Sequence, residues 1–363
     1  MIKICHITTK HAAFDTRIFQ KECKALKSYY EVILLAANAQ EGLIDGIKVL
    51  GFKYELNNNL QNLIRIFKLA RQQQASVYHI HDPELLPLLW ILKKMGKNVV
   101  YDVHEDYRSS MLEHNQPAMY RNIFNYFDNW AARNAALILA ESSYISIYQG
   151  KAKHLCVVEN FCDINALKPF LVQDRREYRN IVYVGTIHRN RGALLMVELI
   201  YLLQKKGLRL SLDLVGKITD PGLMATIEAL PYYQQIRNQL NWHGPLPQSD
   251  SYRIAQKSFV GLCMLMPTPN HSESYPTKLF EYMAVGLPII ATNISLYKAV
   301  VERRECGICV PFEEPEQLAD AVQKIYEDKV LQSQYSTNGP GAVAMNYNWE
   351  REKNILIDFY RKL

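Results

Sequence analysis

The chain has 363 residues, 48% of them hydrophobic and 21% charged, more than one hydrophobic core usually fills, so two domains are expected. With only 16 Gly and 15 Pro and no internal repeat, disordered, collagen-like and low-complexity architectures are excluded. A net charge of +6 is too mild to argue for a nucleic-acid partner and suits a phosphorylated substrate or an anionic membrane surface equally well.

Short apolar runs alternate with segments of helical period. Ile2–Thr8, Val32–Ala36, Val77–His81, Asn98–Asp102 and Leu137–Ala140 read as buried strands, and Arg17–Ser28, Leu60–Gln73, Leu85–Lys94 and Met119–Asn134 as the helices between them. Such alternation predicts a parallel sheet covered by helices on both faces. The pattern then restarts. Asn180–Gly185, Ser211–Val215, Val260–Met264 and Ile289–Ala291 are strand-like, and Leu194–Lys206, Asp250–Lys257, Thr277–Val285 and Glu316–Asp328 helix-like. The fold class is therefore α/β, two doubly wound Rossmann-like domains with a ligand cleft expected at the carboxyl ends of their strands. Charged residues 173–179 are the linker candidate. The domains are expected over residues 1–172, completed by an amphipathic C-terminal helix at 349–363 beyond Gly339-Pro340-Gly341, and over 173–348. Seven scattered cysteines suit reduced thiols in a cytosol. The start of the chain reads as a strand rather than a signal peptide, and no apolar stretch is long enough to span a membrane.

The most informative segment runs from Glu273 through Ser274, Tyr275, Pro276, Thr277, Lys278, Leu279, Phe280 and Glu281 to Gly286-Leu287-Pro288. Pro276 suits the first turn of a helix and Gly286 its end. Free amides around Ser274–Thr277 would form a site for a diphosphate. A carboxylate on either side, Glu273 and Glu281, could bind hydroxyls of the two groups such a diphosphate joins; a capped helix with solvated glutamates fits the spacing equally. A second segment, Tyr183-Val184-Gly185-Thr186 followed by His188-Arg189-Asn190-Arg191-Gly192, is a strand entering a glycine-bounded basic loop, where a cation could neutralise a departing diphosphate. In the first half, His104 and Glu105 follow the strand ending Tyr101-Asp102-Val103 and face the expected cleft. His79 and His81 alternate on a strand and lack a third metal ligand at recognisable spacing, so core or hydrogen-bonding roles are expected. Phe14-Asp15-Thr16-Arg17-Ile18-Phe19 forms the loop after the first strand, with Asp15 able to cap a helix.

The Glu273–Pro288 segment resembles the Glu-x7-Glu signature of retaining glycosyltransferases of family 4, which have the GT-B fold. The Phe14–Phe19 loop resembles a subset of that family working in bacterial surface-polysaccharide assembly, and the resemblance extends over essentially the whole chain. It implies transfer of a sugar from a UDP- or GDP-sugar to a saccharide or lipid-linked acceptor, with retention. In that resemblance Glu273 contacts the donor sugar, Glu281 the ribose, and the amides and side chains of Ser274–Lys278 and Gly185–Thr186 line the diphosphate. His104 lies near the reaction centre, and Asp15, Arg17 and Glu105 border the acceptor side. The chain departs from the family loop Gly-Arg-x4-Lys-Gly: Thr186 stands where Arg is expected and Arg191 replaces Lys. Arg191 is then the expected phosphate cation, with Arg189 or Lys278 as the second. No Asp-x-Asp occurs, so no metal ligand and no cofactor are expected beside the substrate. Sugar-nucleotide 2-epimerases of the same fold, or a non-catalytic GT-B scaffold, are the alternatives. The aromatic helix Met119–Ala136, with its arginines, suits either a membrane interface or packing under the first domain, and location on the inner face of a membrane follows only from the former.

Cys306 and Cys309 form a lone Cys-x-x-Cys without redox or zinc context. Dinucleotide-binding and Walker-type glycine motifs are absent.

Overall fold

Strands buried on both faces carry near-continuous apolar runs, and those runs assemble here into two parallel sheets. The computed structural model describes residues 1–55, 58–113 and 115–363. They divide into one unit of Met1–Asn160 with Trp349–Leu363 and another of Phe161–Asn348.

In the first unit the strands are β1 (Lys3–Thr8), β2 (Glu31–Ala37), β3 (Gly42–Ile44), β4 (Ile47–Phe52), β5 (Val77–Ile80), β6 (Asn98–Val103), β7 (Ala136–Leu139) and β8 (His154–Val157). Their order across the sheet is β3-β4-β2-β1-β5-β6-β7-β8, and every pairing is parallel except the β3–β4 hairpin. Successive residues face opposite sides. Cys5 and Ile7 join the core beneath the helices Asn59–Gln72, Leu86–Lys94 and Ala118–Asn134, whereas Ile4 joins the core on the other face, with Trp349, Leu356, Phe359 and Tyr360 of the terminal helix Trp349–Tyr360.

The second unit contains β9 (Asn180–Val184), β10 (Ser211–Val215), β11 (Leu240–Gly244), β12 (Ser258–Cys263), β13 (Ile289–Thr292) and β14 (Gly307–Val310), in the order β11-β10-β9-β12-β13-β14 and parallel throughout. Strand order reverses at β1/β5 in one sheet and at β9/β12 in the other, the points at which such sheets open a crevice for ligands. The candidate residues after β9, and those after β1 and β5, stand at these crevices.

Two expectations are corrected. The unit boundary falls at Asn160/Phe161 rather than between residues 172 and 173, because Phe161 packs edge-on against Phe280 and Tyr347 of the second unit, with ring centroids 4.7 and 5.4 Å away. The segment after the first strand is not a regular α-helix over Arg17–Ser28: Thr16–Cys23 is π-helical and only Lys24–Leu26 is α. Gly339-Pro340-Gly341 lies within the helix Lys329–Asn346, with Pro340 inside it. Gly339 lies against Met283, where a Cβ would sit 2.9 Å from the Met283 carbonyl oxygen, so tight helix packing offsets the poor helix propensity of this tripeptide.

Candidate active site

The anion-binding candidates gather in the second unit. At the end of β9, Gly185 adopts φ +135°, and a Cβ there would come within 3.0 Å of the Lys278 ammonium. That ammonium is buried, lies 3.6 Å from the centre of the Tyr183 ring, and has no hydrogen-bond partner among the described residues. Tyr183 is held in turn by its hydroxyl, which donates to the Thr186 carbonyl at 2.7 Å. Arg189 is engaged elsewhere, bound to Asp220 at 3.3 Å and Thr226 at 2.7 Å. Arg191 follows on the same loop. Burial raises the Cys263 thiol to about 11, and the nearby charges of Lys278 and Arg191 partly oppose that rise. Both cations therefore lie near the carboxyl end of β12.

The helix Thr277–Ala284 starts beside them, with Pro276 at its N-cap position rather than within the first turn. Tyr275 packs edge-on against Phe280, fixing the approach to the helix, and Ser274 donates to the Asn270 carbonyl at 2.8 Å. Glu273 ends the short helix Pro269–Glu273 and is exposed. One helical turn beyond Thr277, the Glu281 carboxylate accepts from Gln248 Nε2 and from the Tyr252 hydroxyl, both at 2.7 Å. Burial and the Glu281 charge push the Tyr252 phenol well above its ordinary value, so it remains a donor to this carboxylate. Gln248 and Tyr252 escape a reading of the sequence because they lie on a separate helix, Gln248–Ala255, about thirty positions away.

In the first unit, His104 Nε2 lies 2.9 Å from Asp102 and 3.1 Å from His81 Nδ1. Asp102 is fully buried. Burial would raise its carboxyl, but Arg17 and His104 outweigh that and hold it well below the usual range. Arg17 forms a fork to Asp102 (2.9 and 3.1 Å) and also donates to the Val158 carbonyl at 2.8 Å. It is 3% exposed, so it does not present its charge to an acceptor; it fixes the acid that fixes His104. Asp15 caps the π-helical turn, accepting from the Arg17 and Ile18 amides at 2.8 and 3.0 Å. Glu105 is exposed and lines a cavity with Lys10, His11, His104 and Tyr107.

His79 on β5 and His81 just after it do not stand alone. The fold brings His6 and Glu22 to them, all four buried, with potential ligand atoms within 4.8 Å of one another. Burial drives the His6 and His79 imidazoles well below their ordinary value and His81 down to about 4. No spacing rule could have assembled the four, since they come from three separated segments.

Two families match successive parts of the chain. Residues 7–165 match the family described as Glycosyltransferase Family 4, and residues 171–341 the family described as Glycosyl transferases group 1. A D-inositol 3-phosphate glycosyltransferase of Paenarthrobacter aurescens is 24% identical over 64% of this chain and 58% of its own length. A phosphatidyl-myo-inositol mannosyltransferase of Mycobacterium leprae is 34% identical over 24% of this chain and 23% of its own. The chain spans from 22% to 58% of the length of such curated relatives. Among solved structures, sucrose-phosphate synthase from Thermosynechococcus elongatus superimposes with a TM-score of 0.80 at 16% identity, covering 100% of this chain and 99% of that one. Anabaena HepE, solved with UDP and glucose, gives 0.74 at 16% identity with both chains fully covered. The two parallel-sheet units thus have the GT-B fold.

Proposed function

We propose that this chain is a glycosyltransferase that moves a sugar from a UDP- or GDP-sugar to a saccharide or lipid-linked saccharide, with retention at the anomeric carbon. The observation that carries the reading is the buried Lys278 ammonium beside Gly185, a cation with no hydrogen-bond acceptor among the described residues. A buried ammonium of that kind is costly unless an anion completes it, and a diphosphate at the start of the helix Thr277–Ala284 would do so. Lys278 then takes the charge that Thr186 cannot supply, and Arg191 takes the second; Arg189, bound to Asp220, takes none. With two protein cations there and no Asp-x-Asp in the chain, donor binding without a metal is part of the proposal.

Glu281, aligned by Gln248 and Tyr252, is assigned to the ribose hydroxyls, and Glu273 to the sugar. Amides and side chains of Thr186 and Ser274–Thr277 complete the donor site. The bond between the anomeric carbon and the phosphate oxygen breaks, the acceptor hydroxyl adds on the same face, and its proton passes to the departing phosphate oxygen. Lys278 and Arg191 stabilise the charge that develops on that phosphate. In the first unit, His104, held by Asp102, is assigned to orient the sugar, and Glu105 to meet the acceptor; Asp15 and Arg17 support them by shaping the loop.

A saccharide acceptor of surface-polysaccharide type is supported by the Phe14–Phe19 loop, and a lipid-linked one by the apolar side chains of the helix Ala118–Asn134. Phe124, Ala131 and Ala132 of that helix are buried in the core, but Met119, Ile123 and Tyr126 are 74%, 49% and 64% exposed. No helix among the described residues is long and apolar enough to cross a membrane, so contact with lipid would be peripheral, and co-sedimentation with anionic liposomes reads it directly.

The test of the function is incubation with UDP- and GDP-sugars and an oligosaccharide acceptor, followed by NMR of the anomeric proton. Release of nucleoside diphosphate with an axial product from an axial donor is expected. An inverted product would overturn retention, and an epimer formed without acceptor would replace transfer by isomerisation.

A further inference from the structure

We propose that His6, His79, His81 and Glu22 of the first unit form a buried binding site for one divalent transition-metal ion, Zn2+ foremost, apart from the donor site and independent of the function proposed above. Four side chains of metal-ligand type converge from β1, the π-helical turn and β5, each no more than 1% exposed. Three of the four also carry open donor atoms. His6 Nε2, His79 Nε2 and both Glu22 oxygens have no hydrogen-bond partner among the described residues, although Glu22 Oε1 lies 3.1 Å from Arg17 Nε as an ion pair. Leaving so many buried polar atoms unmatched at one point is unusual in a folded interior.

The outer nitrogens, by contrast, are anchored. His79 Nδ1 pairs with the Tyr360 hydroxyl at 2.7 Å, and His81 Nδ1 faces Asp102 at 3.3 Å. Metal-binding histidines are characteristically oriented in this way, with the far ring nitrogen on a carboxylate or hydroxyl and the near one on the metal. His6 Nδ1 and His81 Nε2 pair with each other at 2.9 Å. A tetrahedral Zn2+ with bonds of about 2.0–2.1 Å places its ligand atoms about 3.4 Å apart, so an ion would replace that hydrogen bond, opening this pair slightly while separations of up to 4.8 Å close.

The backbone adds a separate argument. The π-helical turn Thr16–Cys23 spaces Arg17 and Glu22 five residues apart on one face, so both side chains point inward. Such turns are rare and are frequently found at functional sites. Three imidazoles and one carboxylate suit Zn2+ and its first-row neighbours rather than Mg2+ or Ca2+, which prefer oxygen ligands. Bound there, the ion would tie the turn to the strand ends from which His11 and His104 project.

The test uses the full chain, stripped with dipicolinate and titrated with Co2+ and Zn2+. About one ion per chain is expected, with a Co2+ spectrum of nitrogen and oxygen ligands, no thiolate charge-transfer band, and a higher melting temperature with Zn2+. Glu22→Gln should weaken Zn2+ by about tenfold or more, and Tyr360→Phe, which removes only the hydroxyl behind His79, by about tenfold. Circular dichroism checks that each variant folds. Absence of binding, a thiolate band marking cysteine ligands, or an unchanged affinity in a folded Tyr360→Phe chain would overturn the proposal. Nucleotide affinity should not change in Tyr360→Phe, so this test and that of sugar transfer fail separately.

Discussion

The ammonium of Lys278 has an aromatic face at 3.6 Å but no oxygen to donate to among the described residues, and the Glu281 carboxylate is held by two donors from another helix. The two residues therefore make separable contributions. Replacing Lys278 by Met keeps the packing over Tyr183 and removes the charge. Affinity for UDP should fall by about 1.5–3 kcal/mol, the worth of a hydrogen bond to a charged group, while affinity for uridine stays the same. Equal losses for both ligands would show that Lys278 supports the fold rather than the diphosphate. The motif names both residues, but it leaves Lys278 as one of two candidates for the second charge, and Tyr252, the partner of Glu281, becomes visible only in the folded chain. Glu352 offers a pH-dependent case in the first unit. It accepts the Glu159 amide at 2.8 Å, and burial, with Glu159 nearby, raises its carboxyl from an ordinary 4.5 to about 7. Folding favours its protonated form, so this contribution to stability is complete below about pH 4.5 and is lost as the pH rises to about 7. Glu352→Gln should accordingly raise the melting temperature at pH 8, by about 2–4 °C, and leave it unchanged at pH 4. A gain of equal size at both pH values would rule out this titration as the cause.

Among the elements, those best read from sequence are the central strands, whose burial on both faces writes itself as Ile-, Val- and Leu-rich runs. Peripheral strands β8 and β11 carry polar residues, such as His154, Asn241 and His243, and give no such signal. Tertiary packing decided the rest. A Gly-Pro-Gly sequence reads as a turn, yet the helix Lys329–Asn346 continues through it because only glycine lets its backbone approach the helix Thr277–Ala284 at Met283. Gly339→Ala, a substitution that raises helix propensity, should therefore destabilise the chain by about 1–3 kcal/mol in a denaturant melt. Stabilisation would mean that propensity, and not the close contact, governs this helix. Arg175 was lost among the charges of the expected linker. In the structure it is buried and donates to the carbonyls of Ala255, Ser258, Val285 and Gly286, closing the start of the second unit against two of its elements. Burial lowers its guanidinium to about 10, which leaves the charge intact at neutral pH.

At the scale of the whole molecule, the chemistry is divided as the chain is. The candidate anion-binding cations and the Glu281 carboxylate with its two donors belong to the unit Phe161–Asn348, whereas the histidine and carboxylate network belongs to Met1–Asn160 with Trp349–Leu363. The repeated strand–helix pattern made two Rossmann-like units legible from the sequence, and the motif around Glu273–Glu281 pointed to the donor half. The network in the other half was not legible: His6, Glu22, His79, His81 and Asp102 are scattered over about a hundred residues and meet only through the order of strands β1, β5 and β6. The central claim is that the second unit binds a nucleoside diphosphate through Lys278, Arg191 and Glu281. The most direct measurement is calorimetric titration of the full chain with UDP, GDP, ADP and dTDP, without added metal, beside a folded Glu281→Ala variant. Micromolar binding of one nucleotide, weakened by about 1–3 kcal/mol in the variant, is the predicted result; no binding of any of the four, or affinity unchanged by the substitution, would contradict it.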